Sequence, residues 1–201
     1  MLEIYGHARS RAFRTLWMAE ELGIPYSHDP VTPAEARSAK ILALNPNGHV
    51  PVIRDGDLVL FESMAINLYL AAKYGAERSL WPASVEDQGR ATQWSFWAIT
   101  EVEALSLSLL RQRVQLPESE RDEAAAARDE QQLHAAFRVL EGALDGRDYL
   151  LGDTFTVADL DVASVLAWLR LLKVDMAPHP RVSAWLARCL QRPVVRKAQG
   201  R

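Results

Sequence analysis

The sequence predicts an α/β domain followed by an all-helical domain. Three observations carry that expectation. Residues 1–75 alternate short β-prone runs with helical patterns in the order β-α-β-α-β-β-α. Residues 85–201 hold four helical patterns and no further strand. Between them, residues 76–84, with Trp81-Pro82, read as a linker.

Each element has its own signal. Leu2-Glu3-Ile4-Tyr5 alternates and stops at Gly6, a short strand. Residues 11–22 follow a helical pattern with Phe13, Leu16, Trp17 and Leu22, and Gly23 is the C-terminal stop. Residues 25–29 are a second strand, and residues 34–44 a helix that ends ahead of Asn45-Pro46. Val52-Ile53 and Leu58 to Phe61 are β-prone and flank Asp55-Gly56, which predicts a type I′ hairpin because both residues tolerate positive φ. Residues 63–74 are helical, with Ile66, Leu70 and Tyr74 spaced by four. A helix between the first two strands implies a parallel, right-handed crossover; the tight turn makes the last pair antiparallel.

In the second half, residues 85–115 place Trp94, Trp97, Val102, Leu105 and Leu109 on one helical face, and Pro117 ends the pattern. Residues 119–144, 157–173 and 180–191 complete the helices. Thr156 and Asp159 stand at N-cap and N3 of a capping box, with Phe155 and Leu160 placed for a hydrophobic staple.

Composition excludes several classes. Of 201 residues, 49% are hydrophobic and 24% charged, an ordinary globular balance. The net charge of -3 gives no footprint for nucleic acid or a membrane surface. No apolar run is long enough to span a bilayer, and the N-terminus lacks a secretory pattern, so a cytoplasmic location is expected. The one cysteine, Cys189, permits no intrachain disulfide and reads as a small buried hydrophobe. The five histidines are scattered without ligand spacing and no Gly-rich phosphate loop is present, so neither metal nor nucleotide is expected.

One stretch concentrates unusual residues: "NPNGHVPVIRDGDLVLFESMAI", residues 45–66. If Val50-Pro51 is cis, Val50 turns its backbone N–H and C=O outward, where an extended peptide can pair with them. Ser63 lies at a helix start, where its hydroxyl and the free backbone N–H groups can bind a carboxylate. Glu62 beside it can hold an ammonium. Carboxylate and ammonium on one carbon describe an amino-acid head group, so the stretch suits a small peptide. The plainer alternative makes Ser63 a helix cap and nothing more.

The element order, Val50-Pro51, Glu62-Ser63, and the segments "NPNGHVP", "LFESMAI" and "FTVADLD" together resemble the glutathione S-transferases over essentially the whole chain. The resemblance implies a thioredoxin-like N-terminal domain that binds glutathione as co-substrate, a helical domain that forms the pocket for an electrophilic small molecule, no metal, and a twofold homodimer. It places glutathione at Val50, Pro51, Glu62 and Ser63. Two hydroxyls compete to stabilise its thiolate. Ser10 closes Gly6-His7-Ala8-Arg9-Ser10, which is similar to the start of the serine-type phi class; Tyr5 matches the tyrosine of other classes. For the glycine carboxylate, Arg37 is nearest the family position and Lys40 is the alternative; Ala36 stands where a histidine is common. His49 stands where glutamine or lysine often meets the glutathione backbone. Arg9, Arg11 and Arg14 read as a solvated helix face, with an anionic-substrate site as the alternative. Trp94, Phe96 and Trp97 read as mostly core, with one of them lining the electrophile pocket as the alternative. With Cys189 far along the chain, chemistry through a protein thiol is not expected. A glutathione-dependent isomerase or peroxidase, and a non-catalytic module, are the competing functions; Ser10, Val50-Pro51, Glu62 and Ser63 together favour an enzyme.

Overall fold

The computed structural model describes residues 1–200, and of Arg170 the backbone only. The chain divides into two compact units, residues 1–88 with 192–201, and residues 89–191.

The first unit runs β1 (Leu2–Tyr5), α1 (Ala12–Leu22), β2 (Tyr26–Asp29), α2 (Ala39–Leu44), β3 (Val52–Asp55), β4 (Leu58–Phe61) and α3 (Ser63–Tyr74). The sheet order is β2-β1-β3-β4. β1 and β2 are parallel, and the β1–β3 and β3–β4 pairs are antiparallel. Alternation of side chains sends Ile4 and Tyr5 to opposite faces. Tyr5 joins Val31, Ile41 and Val52 in a buried cluster, closed by Leu44, Val50 and Val59.

α1 is buried on every side, including Arg14, Glu20 and Glu21. A helix buried all round needs neighbours all round, and α3 packs against it together with the short α10 (Pro193–Ala198). The C-terminal segment, expected in the helical domain, therefore belongs with the first unit. Its cations reach the carboxylates of α1: Arg192 Nη2 donates to Glu21 at 2.7 Å, and Lys197 pairs with Glu20 at 2.6 Å. Gly23, at φ 64°, ends α1 in the left-handed conformation expected of a C-terminal glycine.

Two local expectations shift. The hairpin closes on Gly56-Asp57, because Asp55 pairs with Leu58 in the ladder. Only Gly56 has positive φ there, which is the type II′ pattern rather than type I′. The second helix starts at Ala39 instead of Ala34. The preceding residues form turns in which the Glu35 carboxylate binds Thr32 N–H and Oγ1, at 2.9 and 2.7 Å, and Ser38 is extended.

The second unit holds most of α4 (Val85–Trp97), which continues through a π-helical stretch at Ala98–Glu103 into α5 (Ala104–Leu110) and a second π-helical stretch at Arg111–Gln115. α6 (Glu123–Ala143), α7 (Val157–Leu166), α8 (Leu169–Leu172) and α9 (Pro180–Leu190) follow. The single helix expected over 157–173 is broken after Leu166, and Lys173 is left-handed at φ 53°. The capping box forms as read, with Phe155 and Leu160 both buried. The Asp159 carboxylate does more than cap: it also accepts from Leu150 N–H at 2.8 Å and Trp185 Nε1–H at 2.9 Å.

Candidate functional site

The loop from β1 to α1 is set by Gly6. Its φ is 136°, and a Cβ there would lie 2.6 Å from Ala12 Cβ and 3.0 Å from Val50 Cβ. No side chain fits, so the loop carrying Ser10 packs directly onto Val50. Ser10 is half-buried, two residues ahead of the first helical residue. Its Oγ accepts from Ala12 N–H at 3.1 Å and donates to the His7 carbonyl at 2.7 Å. The Gly6 carbonyl meets His28 Nε2 at 2.8 Å, which anchors the other end of the loop to β2.

Tyr5 is placed differently. Its hydroxyl donates to the Glu3 carboxylate, and Lys40 Nζ lies over its ring at 5.2 Å. The hydrogen bond to Glu3 and then burial raise the phenol's pKa above its ordinary value.

The Val50-Pro51 bond is cis. Among the described residues, neither the N–H nor the C=O of Val50 forms a hydrogen bond. The loop ahead of it is tied by Asn45, whose Nδ2 donates to the His49 carbonyl at 2.9 Å, leaving the His49 side chain exposed. At the other end of the hairpin Glu62 is the N-cap of α3, with φ 73° and ψ 109°. A non-glycine residue in that region stores roughly 1–3 kcal/mol, and such residues gather at functional sites. Ser63 is 5% exposed. Ile66 N–H bonds the Glu62 carbonyl at 2.9 Å, so the N–H groups of Ser63, Met64 and Ala65 have no acceptor within the helix.

Of the two candidates for a second carboxylate, Arg37 is exposed beside Gly48, and Lys40 pairs with Asp29 at 2.6 Å. That bond raises the Lys40 pKa.

Three readings are corrected. Arg14 is not on a solvated face: it is 1% exposed, and its Nη1 donates to Ser63 Oγ at 3.2 Å. Arg9 is exposed and Arg11 half-buried. Phe96 is 66% exposed, whereas Trp94 is buried and stacks edge-on with Trp97 at 5.1 Å. The histidines are not all scattered, since His134 Nδ1 and His179 Nε2 lie 2.9 Å apart. Cys189 is fully buried. Among the described residues, no group of three or more His, Cys, Asp or Glu is placed to hold a metal ion, and no helix is long and apolar enough to cross a membrane.

Residues 9–73 match the family model of the glutathione S-transferase N-terminal domain, and residues 98–193 that of the C-terminal domain. The chain is 33% identical to glutathione S-transferase GstB of Escherichia coli K12, over 98% of this chain and 97% of that protein. It is equally identical, with the same coverage, to a glutathione S-transferase of Hyoscyamus muticus. A similar solved structure is the theta class glutathione S-transferase of the citrus canker pathogen Xanthomonas axonopodis pv. citri with glutathione bound, at a TM-score of 0.89 and 32% identity over 98% of this chain and 96% of that one. The chain belongs to the glutathione S-transferase family.

Proposed function

We propose that this chain is a serine-type glutathione transferase in which Ser10 stabilises the thiolate of glutathione bound to the first unit. One observation carries the reading: the glycine-dependent contact of the Ser10 loop with Val50. It brings the start of the loop that carries this hydroxyl against the Val50 whose backbone is unpaired, which supports the reading.

In this reading the tripeptide backbone pairs antiparallel with Val50 next to Pro51. The γ-glutamyl carboxylate sits on Ser63 and the first N–H groups of α3, and Glu62 receives the ammonium. Arg37 takes the glycine carboxylate, with Lys40 second because its charge is engaged by Asp29. His49 lies on the rim.

A free thiol has a pKa of about 8.5, so only a few per cent is thiolate at pH 7. Ser10 changes this by turning its proton from the His7 carbonyl to the sulfur. It keeps the bond from Ala12 N–H, which polarises the hydroxyl as a donor. The start of α1 adds a positive dipole end. Each unit of thiol pKa gained is about 1.36 kcal/mol. The thiolate then attacks an electrophilic carbon: a C–S bond forms, and the displaced electron pair leaves with the leaving group or is protonated. Tyr5 is a poorer donor to the sulfur, its hydroxyl already donating to the Glu3 carboxylate. We place the enzyme in the cytoplasm as a twofold homodimer, on the family resemblance.

Calorimetry of glutathione binding, with ultraviolet thiolate absorbance followed across pH, tests this. Binding with a thiolate pKa well below 8.5 supports activation. Binding without a shift leaves a ligand-holding protein, and no binding at millimolar glutathione points to a non-catalytic module. Ser10→Ala is expected to lower turnover roughly 10- to 1,000-fold while glutathione still binds. A Ser10→Ala variant like wild type beside an inactive Tyr5→Phe would transfer the role to Tyr5.

A further inference from the structure

The stretch between β1 and α1 is fixed at both ends, and one side chain shapes what lies between. At its start, Gly6 N–H donates to the Asp29 carbonyl at 2.9 Å, and the Gly6 carbonyl meets His28 Nε2 at 2.8 Å. At its end, Phe13 N–H donates to the Ser10 carbonyl at 3.1 Å as α1 begins. Between these points His7 and Ser10 close a turn. Ser10 N–H donates to the His7 carbonyl at 2.9 Å, and Ser10 Oγ donates to the same oxygen at 2.7 Å. Inside that turn, His7 Nδ1 accepts from Arg9 N–H at 3.0 Å. Aspartate and asparagine make this bond in turns, from a side-chain oxygen to the backbone two residues on. His7 does the same with a ring nitrogen, because Nδ1 and the amide Oδ1 of asparagine stand at the same place along the side chain. A backbone N–H only donates, so Nδ1 carries a lone pair and the ring proton lies on Nε2. The His7 carbonyl keeps Ser10 N–H when the hydroxyl swings away, so the turn stays closed while that proton is offered to sulfur.

We propose that His7 is a positioning residue for the thiol-activating hydroxyl: its imidazole, by holding Arg9 N–H, fixes the turn that aims Ser10 Oγ. The role rests on the reading of Ser10 as the residue that stabilises the thiolate. His7 touches no reacting atom; it acts through Ser10.

The test follows the ultraviolet thiolate absorbance of bound glutathione across pH, with calorimetry of glutathione binding and thermal melting. The proteins are the full chain as wild type, Ser10→Ala, His7→Phe, His7→Asn and the His7→Phe/Ser10→Ala double variant. Phenylalanine keeps a ring and removes the acceptor; asparagine keeps the acceptor and removes the ring. The Arg9 bond lies at the surface, so the effect is modest. His7→Phe is expected to raise the thiol pKa of bound glutathione by roughly half a unit to one unit, what one such hydrogen bond contributes, with glutathione affinity within about threefold of wild type. His7→Asn should recover most of that shift. Ser10→Ala should raise the thiol pKa at least as far, and the double variant no further than Ser10→Ala, since His7 acts through that hydroxyl. Nitrogen NMR of wild type in mildly alkaline buffer should show His7 Nε2 with a proton and Nδ1 without one; a proton on Nδ1 overturns the proposal. A merely structural histidine would lower the melting temperature of His7→Phe and leave the thiol pKa where it was, which overturns it too. So does a His7→Asn variant no better than His7→Phe. If Ser10→Ala raises the thiol pKa and His7→Phe does not, the role of His7 fails alone. If Ser10→Ala leaves the thiol pKa unchanged, the reading of Ser10 fails and the proposal goes with it. Should His7→Phe not fold, His7→Ala, which removes the acceptor without adding bulk, is read by the same titration.

Discussion

A hydroxyl can stabilise a thiolate only if its own proton is free to turn toward the sulfur. Ser10 donates to a backbone carbonyl at the rim of its loop, a neutral acceptor that competes weakly. Tyr5 donates to a carboxylate, a stronger acceptor, and its raised pKa is the result. Tyr5→Phe should therefore leave the thiolate pKa of bound glutathione unchanged and turnover within about threefold; pH titration of the thiolate absorbance compares it directly with Ser10→Ala. Gly6→Ala should do what Tyr5→Phe does not. The added methyl meets Ala12 Cβ at 2.6 Å, so the Ser10 loop must move off Val50 and turnover should fall with it. The cis Val50-Pro51 bond and the start of α3 at Ser63 were legible in the sequence because each signal is local, spanning only a few residues. Arg14 was not, because its burial is created by α3, whose Ser63 is 49 residues away.

Pairs of packed helices show what local patterns can and cannot carry. The capping box was legible from Thr156 and Asp159 alone. The bond from Trp185, on α9, was not. Asp159→Ala should consequently lose far more than a cap: two buried backbone N–H groups and an indole N–H lose their acceptor, at roughly 1–3 kcal/mol each. Thermal melting should show a loss several times that of Thr156→Ala.

The contact between α6 and α9 is expected to be pH-sensitive. His134 and His179 stack at 5.2 Å against Phe137, His179 is 2% exposed, and its Nδ1 has no hydrogen-bond partner among the described residues. Burial first, and then His134, hold the His179 pKa below its ordinary value; Arg138 acts the same way, and Glu141 and Asp175 oppose it. The unfolded chain takes up a proton near pH 6.5 that the folded chain refuses. Stability should therefore be full above that pH and decline as pH falls through it. His179 makes no side-chain cap to α9, so His179→Phe removes the titration without removing a cap. Melting temperatures from pH 7.5 to 5 should drop more steeply for wild type than for His179→Phe; equal slopes would assign the acid sensitivity elsewhere.

At the scale of the whole chain, the order of strands and helices was legible because periodicity is a local property. Membership of a unit is not local. Residues 192–198 read as the tail of a helical half, yet they fold onto α1 through ion pairs that span 171 residues for Arg192 and Glu21. Glu21 is 6% exposed and accepts from both Arg192 and Trp17 Nε1. Removing the arginine leaves a buried carboxylate with half its partners, at a cost of roughly 2 kcal/mol, or about 4–8 °C in a chain of this size. Arg192→Ala should show that loss. Glu21→Gln in the same chain should recover part of it, because the charge left behind is gone. A chain ending at Gln191 should lose more, since α1 would then expose the face that α10 covers, and Ser10 and Arg14 both stand on or beside that helix. Its affinity for glutathione should fall while the far-ultraviolet helical signal of residues 89–191 persists. A truncated chain that binds glutathione and melts like the full one would detach the C-terminal segment from the binding unit, and α1 would have to hold its place through α3 and the sheet alone.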